Sequence, residues 1–179
     1  MEGIGGAFST AFLYILAAAL MFGLPLKTVA DNNDKIAEMS LQAETQEFVD
    51  TRAKTGVLTE ADYAAFEQAV SADGNAKEIE MRIGILDENY GKKVSQASST
   101  KYGENAMYYM YQKQITDTLA ENGAIYLNQG NTFSVSLKNK YPTLGDTLNN
   151  FFYSVPQSAA YSLAAQASAT VTVDGDLSN

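Results

Sequence analysis

The chain has 179 residues, close to the usual size of one domain, and its 21 acidic and 12 basic residues give a formal net charge of −9. That charge excludes nucleic acid as a partner, because affinity for nucleic acid depends on Lys and Arg side chains that neutralise phosphates. The sequence contains no His, Cys or Trp, so the commonest general base, the thiol nucleophile and the usual metal ligands are missing. We therefore expect no enzymatic activity, no cofactor and no metal site.

An uncharged segment opens the chain, from Gly3 to Leu26, between Glu2 and Lys27. As a helix it would be roughly 36 Å long, enough to cross a hydrocarbon core of about 30 Å. The segment predicts a retained membrane anchor. Two alternatives stay open: a signal peptide cleaved after residues 28–30 (Thr-Val-Ala), and a helix buried in a protein core. The length of the apolar run and the lack of a basic stretch before it favour the anchor.

Small residues recur within this segment, at Gly3, Gly6, Ala7 and Ala11. The spacing of four residues places Gly3, Ala7 and Ala11 on one helical face, where a second helix could approach closely in an apolar medium. The alternative is that Gly and Ala are simply common in membrane helices. Charge counting does not decide the orientation across the membrane. We predict that these four residues form a helix-packing surface.

The helical pattern continues beyond the apolar run, with a proline at position 25 that would tilt or kink the helix. From Asp31 to Lys54 the chain carries many charges, and its apolar residues fall near helical spacing. The residues assigned to that apolar face are Ile36, Met39, Ala43, Phe48 and Val49. The sequence thus predicts one long helix, whose apolar first part forms a domain at 1–30 and whose amphipathic second part belongs to a head at 31–179.

The head is predicted to be α+β, with short helices and a small antiparallel sheet packed on the long helix. A capping signal at Thr59 starts a helix whose buried face includes Phe66. A strand at 78–86 follows, with alternating Ile79, Met81, Ile83 and Ile85, and then a loop at 87–103. The next element is a helix at 104–122, capped by Gly123, with a buried face formed by Met107, Tyr108, Tyr111, Ile115 and Leu119. Strands at 124–127 and 132–137 around a turn at 129–131, a helix at 144–152 and a strand ending at Val173 complete the head.

Two acidic clusters are candidate ion sites: Asp31 with Asp34 and Glu38, and the terminal Asp174-Gly175-Asp176. Neither has the ligand spacing of a calcium loop, so a solvated face and a tail are the preferred interpretations. The serines form no nucleophile motif.

Two head features have interaction alternatives. The tyrosines at 90, 102, 108, 109 and 111 could form a stacking platform, although core residues on a helix are the commoner outcome. The segment 170–173 could pair with another chain at a sheet edge, although membership of the internal sheet is favoured.

The plan of an apolar helix that runs into an amphipathic helix with a small head behind it resembles type IV pilins and TadE-like pilins of tight-adherence systems. Several short sequence segments are similar to segments of pilin-like proteins of Gram-positive bacteria, some of them associated with conjugative elements. These segments are Phe48-Val49-Asp50, Thr55-Gly56-Val57-Leu58-Thr59 with Tyr63, the run 133–139 (FSVSLKN) and Pro142-Thr143-Leu144. The sequence departs from that pattern in lacking a basic leader with a glycine cleavage site.

The resemblance implies a structural subunit that waits in the membrane as a single-pass protein and assembles with copies of itself, and with other pilin-like subunits, into a cell-surface filament. Glu2 would then be a charge partner for a neighbouring subunit, because an acid in an apolar assembly needs one. The alternative from another class is a monomeric, membrane-anchored binding module with an extracytoplasmic head.

Overall fold

The structure, a computed structural model, describes residues 2–86, 107–153 and 163–175, with side chains from Phe8 onward except at position 163. The predicted α+β class is confirmed: a long N-terminal helix is followed by short helices and antiparallel strands. The chain divides into two compact units, Met1–Ala37 with Pro142–Ala160, and Glu38–Tyr141 with Tyr161–Asn179. The predicted 1–30 and 31–179 domains stay a prediction.

The N-terminal helix, α1, runs from Glu2 to Thr55 and contains Pro25. Proline has no N–H to donate to the preceding turn, so the Met21 carbonyl lacks its usual helical partner. In the first unit, α1 has no buried side chain between Phe8 and Val29. For the described side chains, this exposure contradicts the alternative of a helix buried in the core of this chain.

In the second unit, α1 packs through a stripe that the sequence only partly predicted. Leu41, Thr45, Val49 and Ala53 are buried at intervals of four residues, with Phe48 packed beside them. Phe48 and Val49 are therefore confirmed on the apolar face of this helix, Val49 buried and Phe48 partly buried. The assignment of Ile36, Met39 and Ala43 was wrong, since all three are exposed. Thr45 replaces an apolar residue in the stripe because its Oγ1 donates to the Leu41 carbonyl at 2.6 Å, which satisfies the hydroxyl inside the core.

Among the described residues, the main sheet has four antiparallel strands in the order β3-β2-β5-β6. They are β2 (Lys77–Leu86), β3 (Met107–Tyr111), β5 (Thr132–Asn139) and β6 (Leu163–Thr170). Alternation in β2 and β5 sends Met81, Ile83, Phe133, Val135 and Leu137 into the core. The alternating strand predicted at 78–86 is therefore confirmed.

The Phe48 ring joins this sheet to α2 (Glu60–Val70). It stacks on Phe66 with ring centroids 4.2 Å apart and meets the edge of Phe133 at 5.8 Å. Phe66 and Val70 are buried, and Tyr63 packs against the same core. The predicted buried face of this helix is confirmed.

Strands β1 (Val57–Thr59) and β4 (Ala124–Tyr126) form a separate antiparallel pair in the second unit. The chain from β4 to β5 therefore connects two sheets. The segments of β4 and β5 are predicted strands, whereas β1 is not predicted from the sequence. Strand β4 pairs with β1, whereas β5 pairs with β2 and β6. The turn between β4 and β5 does not reveal these partners, because they lie far away in the sequence.

The helix predicted at 104–122 was wrong in its first part. Met107–Tyr111 is β3, paired with residues 82–86 of β2, and helix α3 begins only at Gln112 and ends at Asn122. Ile115 and Leu119 are buried and Gly123 takes the left-handed cap conformation with φ 74°, as predicted. Tyr108, Tyr109 and Tyr111 are exposed. Aromatic residues favour strands, and β2 supplies the pairing partner. The loop predicted at 87–103 and the first residues of the predicted helix, 104–106, lie outside the described residues.

Candidate membrane-contacting and assembly surface

The first surface to consider is the apolar belt, which we define as residues 8–26 of α1. Its large side chains project into open space, with Phe8, Tyr14, Met21 and Phe22 each 72% exposed. Apolar side chains lie on every side of the helix, whereas a soluble monomer rarely exposes so large a continuous apolar surface. By its length and composition this helix could cross a membrane, and it is the one such candidate in the described part of the chain. The belt therefore needs a covering of lipid or protein.

The second feature is helix α4 (Leu144–Tyr153), which packs on α1 within the first unit. The Phe152 ring lies against the α carbon of Gly23, where a β carbon would have no room. At the other end, the Thr143 hydroxyl donates to Asp34 Oδ2 at 2.6 Å. Residue 152 thus meets residue 23 while residue 143 meets residue 34, so α4 runs antiparallel to α1. The helix predicted at 144–152 is confirmed.

A capping box starts α4. The Asp146 amide donates to Thr143 Oγ1 at 3.1 Å and the Thr143 amide donates to Asp146 Oδ2 at 3.0 Å. Each side chain thereby satisfies a backbone donor that the helix leaves open. Asp31 and Asp34 also lie beside Gly145 in the first turn, where negative charge is favoured by the helix dipole. Two of the acidic residues considered as an ion site therefore hold a helix end.

Lys27 lies at the boundary between the apolar belt and the charged part of α1. Its ammonium group forms an ion pair with Asp31 and lies 5.6 Å from the ring centroid of Tyr153. A cation over an aromatic face is attracted by the ring. This contact holds the C-terminal end of α4 beside the first charged residue that follows the apolar belt.

The predicted packing residues can be placed only in part. Glu2, Gly3, Gly6 and Ala7 lie within the helical backbone of α1, and their side chains are outside the described ones. Ala11 is exposed, as a helix-packing residue would be before assembly. The roles of these five residues stay predictions. The sequence missed α4 as a neighbour of the apolar belt, because Gly23 and Phe152 are separated by 129 positions and carry no local pattern.

A third surface is an open groove of about 620 Å³ on the solvent face of the main sheet. It is lined by Glu80, Arg82, Tyr111, Gln112, Ser134 and Lys138, among others. Lys138 Nζ donates to both carboxylate oxygens of Glu80 at 2.9 Å, and this contact raises the pKa of Lys138 above 10.5. Arg82 covers the Tyr109 ring at 5.0 Å. The groove thus combines an ion pair with apolar lining, to which Met81 and Val135 also contribute.

Within the described residues, no group of three or more acidic side chains is arranged to hold a metal ion. Asp174 has a structural contact instead, since its Oδ1 accepts from the Gln129 amide at 2.7 Å. The segment considered for pairing with another chain is used internally. The Val171 amide donates to the Asn131 carbonyl at 2.8 Å, and the Thr172 amide donates to the Ala53 carbonyl at 3.1 Å.

Comparison with known proteins gives no relative for this chain: no family model, no curated protein and no solved structure matches it.

Proposed function

We propose that this protein is a structural, pilin-like subunit that is stored in a membrane by its apolar belt and assembles through that belt into a cell-surface filament. The observation that carries the proposal is the exposure of the belt on every side of α1, continuous with a helix that then packs into a folded head. A single lipid-facing anchor accounts for the belt in the membrane. Packing of several such helices would account for it outside the membrane.

The chemistry of the head supports a structural role over a catalytic one. The chain has no His or Cys, and some ion pairs of the head join separate helices or strands. Arg52, for example, pairs with Asp62, and Asp62 forms the capping box of α2 with Thr59. These contacts join α1 to α2 and stabilise the head.

The resemblance to type IV and TadE-like pilins supplies the partner class: copies of this chain, together with other pilin-like subunits. It also supplies the location of the head, outside the cell. In this proposal the small residues Gly3, Gly6, Ala7 and Ala11 allow neighbouring helices to approach, and Glu2 pairs with a charge on an adjacent subunit.

The experiment is to shear cells that express the system and to examine the sheared material by electron microscopy and immunoblotting. The proposal expects the protein in filaments. Recovery of the protein only as a membrane-bound monomer, under conditions in which the rest of the system is expressed, would overturn it.

A matched pair of variants tests the packing surface. Ala7→Phe adds bulk to the face formed by Gly3, Ala7 and Ala11, whereas Ser9→Phe adds similar bulk about 200° around the helix from Ala7. Both variants keep the segment from Gly3 to Leu26 free of charge, so both proteins should insert into membranes. We expect Ala7→Phe to abolish filaments and Ser9→Phe to retain them. Equal filament yield from both variants would remove the small-residue face from the proposal.

A second candidate is a monomeric, membrane-anchored binding module, which is favoured by the groove beside Tyr111 and Arg82. Exposed aromatic and arginine side chains are common at binding surfaces. If this candidate is right, Arg82→Ala should abolish binding of a captured ligand while leaving the protein monomeric and in the membrane fraction. If the filament proposal is right, the same variant should still enter filaments.

A further inference from the structure

One end of α4 exposes aromatic side chains that the first unit does not cover. Phe151 is 77% exposed and Tyr153 is 61% exposed, whereas Phe152 between them is half-buried against Gly23. The Phe151 and Phe152 rings meet edge to face with centroids 5.3 Å apart, which holds Phe151 in place on the outside of the helix. We call Phe151, Phe152 and Tyr153 the aromatic end of α4.

The position of this end along α1 identifies the medium that would cover it. Gly23 lies three residues before the last uncharged residue of the apolar run, Leu26, and Lys27 follows at once. If the belt occupies the hydrocarbon core, the aromatic end lies where hydrocarbon gives way to headgroups. Tyrosine and lysine suit that region, because an apolar body can enter the lipid while a hydroxyl or ammonium group stays in the hydrated layer. The two phenylalanine rings beside them add apolar surface for the lipid side.

The two ends of α4 differ in polarity, as a helix with one end in water and the other in the headgroup region requires. The start of the helix carries Asp146 and lies beside Asp31 and Asp34, so it is suited to water. Because α4 is antiparallel to α1 over about 14 Å, its polar start and its aromatic end lie at different depths. An apolar stripe of Leu144, Leu148 and Phe151, at helical spacing, leads toward the aromatic end.

We propose that the aromatic end of α4 inserts into the headgroup region of a lipid bilayer, beside Lys27, so that α4 and α1 together contact the membrane surface. This proposal rests on the membrane insertion of α1 in the function proposed above, and it does not depend on the filament. It assigns lipid contact to a segment about 130 residues away from the apolar belt in sequence.

The test uses the absence of tryptophan from the chain, since each Trp variant then contains a single such fluorophore. Full-length Phe151→Trp, Leu16→Trp and Asn33→Trp proteins are reconstituted in phosphatidylcholine vesicles that carry a nitroxide either at the headgroup or deep in the acyl chain. Leu16 reports on the belt, and Asn33 is an exposed residue of the charged part of α1. All three positions are on the surface of the first unit, so the substitutions should not disturb its packing.

We expect the Leu16→Trp emission to be quenched most by the deep nitroxide and the Phe151→Trp emission to be quenched most by the headgroup nitroxide, with a blue shift relative to Asn33→Trp. Asn33→Trp should be quenched by neither. If Phe151→Trp behaves like Asn33→Trp while Leu16→Trp is quenched, the interfacial proposal is wrong and membrane insertion stands. If Leu16→Trp is not quenched, membrane insertion is wrong and the interfacial proposal falls with it.

Two other results would also overturn the proposal. A Phe151→Trp emission that is blue-shifted yet insensitive to both nitroxides would mean that a second copy of the chain covers the aromatic end. Stronger quenching by the deep nitroxide than by the headgroup nitroxide would place the aromatic end in the hydrocarbon core.

Discussion

Gln42 of α1 holds both backbone polar groups of Gln166 in β6. Its side-chain Nε2 donates to the Gln166 carbonyl at 2.8 Å, and the Gln166 amide donates to its Oε1 at 3.1 Å. Since β6 is an edge strand of the main sheet, a primary amide here reproduces the hydrogen bonds that a neighbouring strand would make. The edge is therefore closed at this position, and unpaired edges are the usual site of pairing with other chains.

The first prediction concerns this contact. Gln42→Ala should lower the free energy of unfolding of the head by about 1 kcal/mol, because two partly exposed hydrogen bonds are lost, and should speed hydrogen exchange of the Gln166 amide. Gln46→Ala is the matched control: within the described residues Gln46 donates to Asp50, one turn along the same helix, at 2.8 Å. Loss of this local bond should cost less than about 0.5 kcal/mol. Urea unfolding in detergent micelles and amide exchange by NMR measure both effects. Unchanged exchange at Gln166 would contradict the prediction.

The second prediction compares two glycines with the same backbone conformation. Gly56 and Gly74 have φ of 67° and 79°, a region that costs other residues about 1 kcal/mol or more. A β carbon at Gly56 would lie 2.6 Å from the Gly175 nitrogen and 2.7 Å from the Val173 carbonyl oxygen, whereas one at Gly74 meets nothing within 4 Å.

We therefore expect Gly74→Ala to lose about 1 kcal/mol of stability and Gly56→Ala to lose several times as much, because the backbone of residues 173–175 must move. The difference between the two unfolding midpoints isolates the steric contribution. Equal losses would show that the terminal segment moves aside without cost.

The third prediction concerns alkaline stability and Tyr63. Burial raises the pKa of the Tyr63 phenol above 10.0, the nearby Glu67 carboxylate raises it further, and the hydrogen bond from Gln112 partly offsets both. The folded state therefore keeps this proton to a higher pH than the unfolded state does. This contribution is fully present below about pH 10 and is lost as the pH rises through the raised value.

Tyr63→Phe should accordingly lose less stability than the parent chain between about pH 9 and pH 11. At neutral pH the variant should be less stable by about 1 kcal/mol, because it leaves Gln112 Nε2 without its 3.1 Å contact to the hydroxyl. Urea midpoints at each pH provide the measurement. If the two proteins lose the same stability at alkaline pH, Tyr63 is not the group responsible for the loss.

The sequence predicted elements well where one local pattern was sufficient. Alternation identified β2, and the Thr59 signal identified α2, whose capping box the structure contains. The residues Met107, Tyr108 and Tyr111 fit a helical stripe as well as a strand, and only the pairing of Ile83 with Met110 decides between them. The core stripe of α1 was predicted only in part for a related reason: Thr45 is polar, and its burial depends on a bond to Leu41 that spacing alone does not reveal.

The sequence likewise predicted one part of the candidate membrane-contacting surface and not the other. The apolar belt follows from its lack of charge and its length, which are properties of one continuous segment. The aromatic end of α4 does not, because its significance depends on the contact between Phe152 and Gly23. Aromatic residues near the end of a short helix are ordinary until the structure brings them to the boundary of an apolar helix.

The last prediction tests that contact directly. Gly23→Leu places a bulky side chain where the Phe152 ring lies, so α4 should separate from α1 while the core of the second unit, which shares no residue with this contact, stays folded. Chymotrypsin, which cuts after exposed aromatic residues, should then cleave at the aromatic end of α4 faster than in the parent chain, because local opening governs such cleavage. Ala18→Leu is the control, since Ala18 is exposed and lies about 140° around the helix from Gly23. Cleavage at the parent rate in Gly23→Leu would mean that α4 is held mainly by Thr143 and Asp34 and that the packing of Phe152 on Gly23 contributes little.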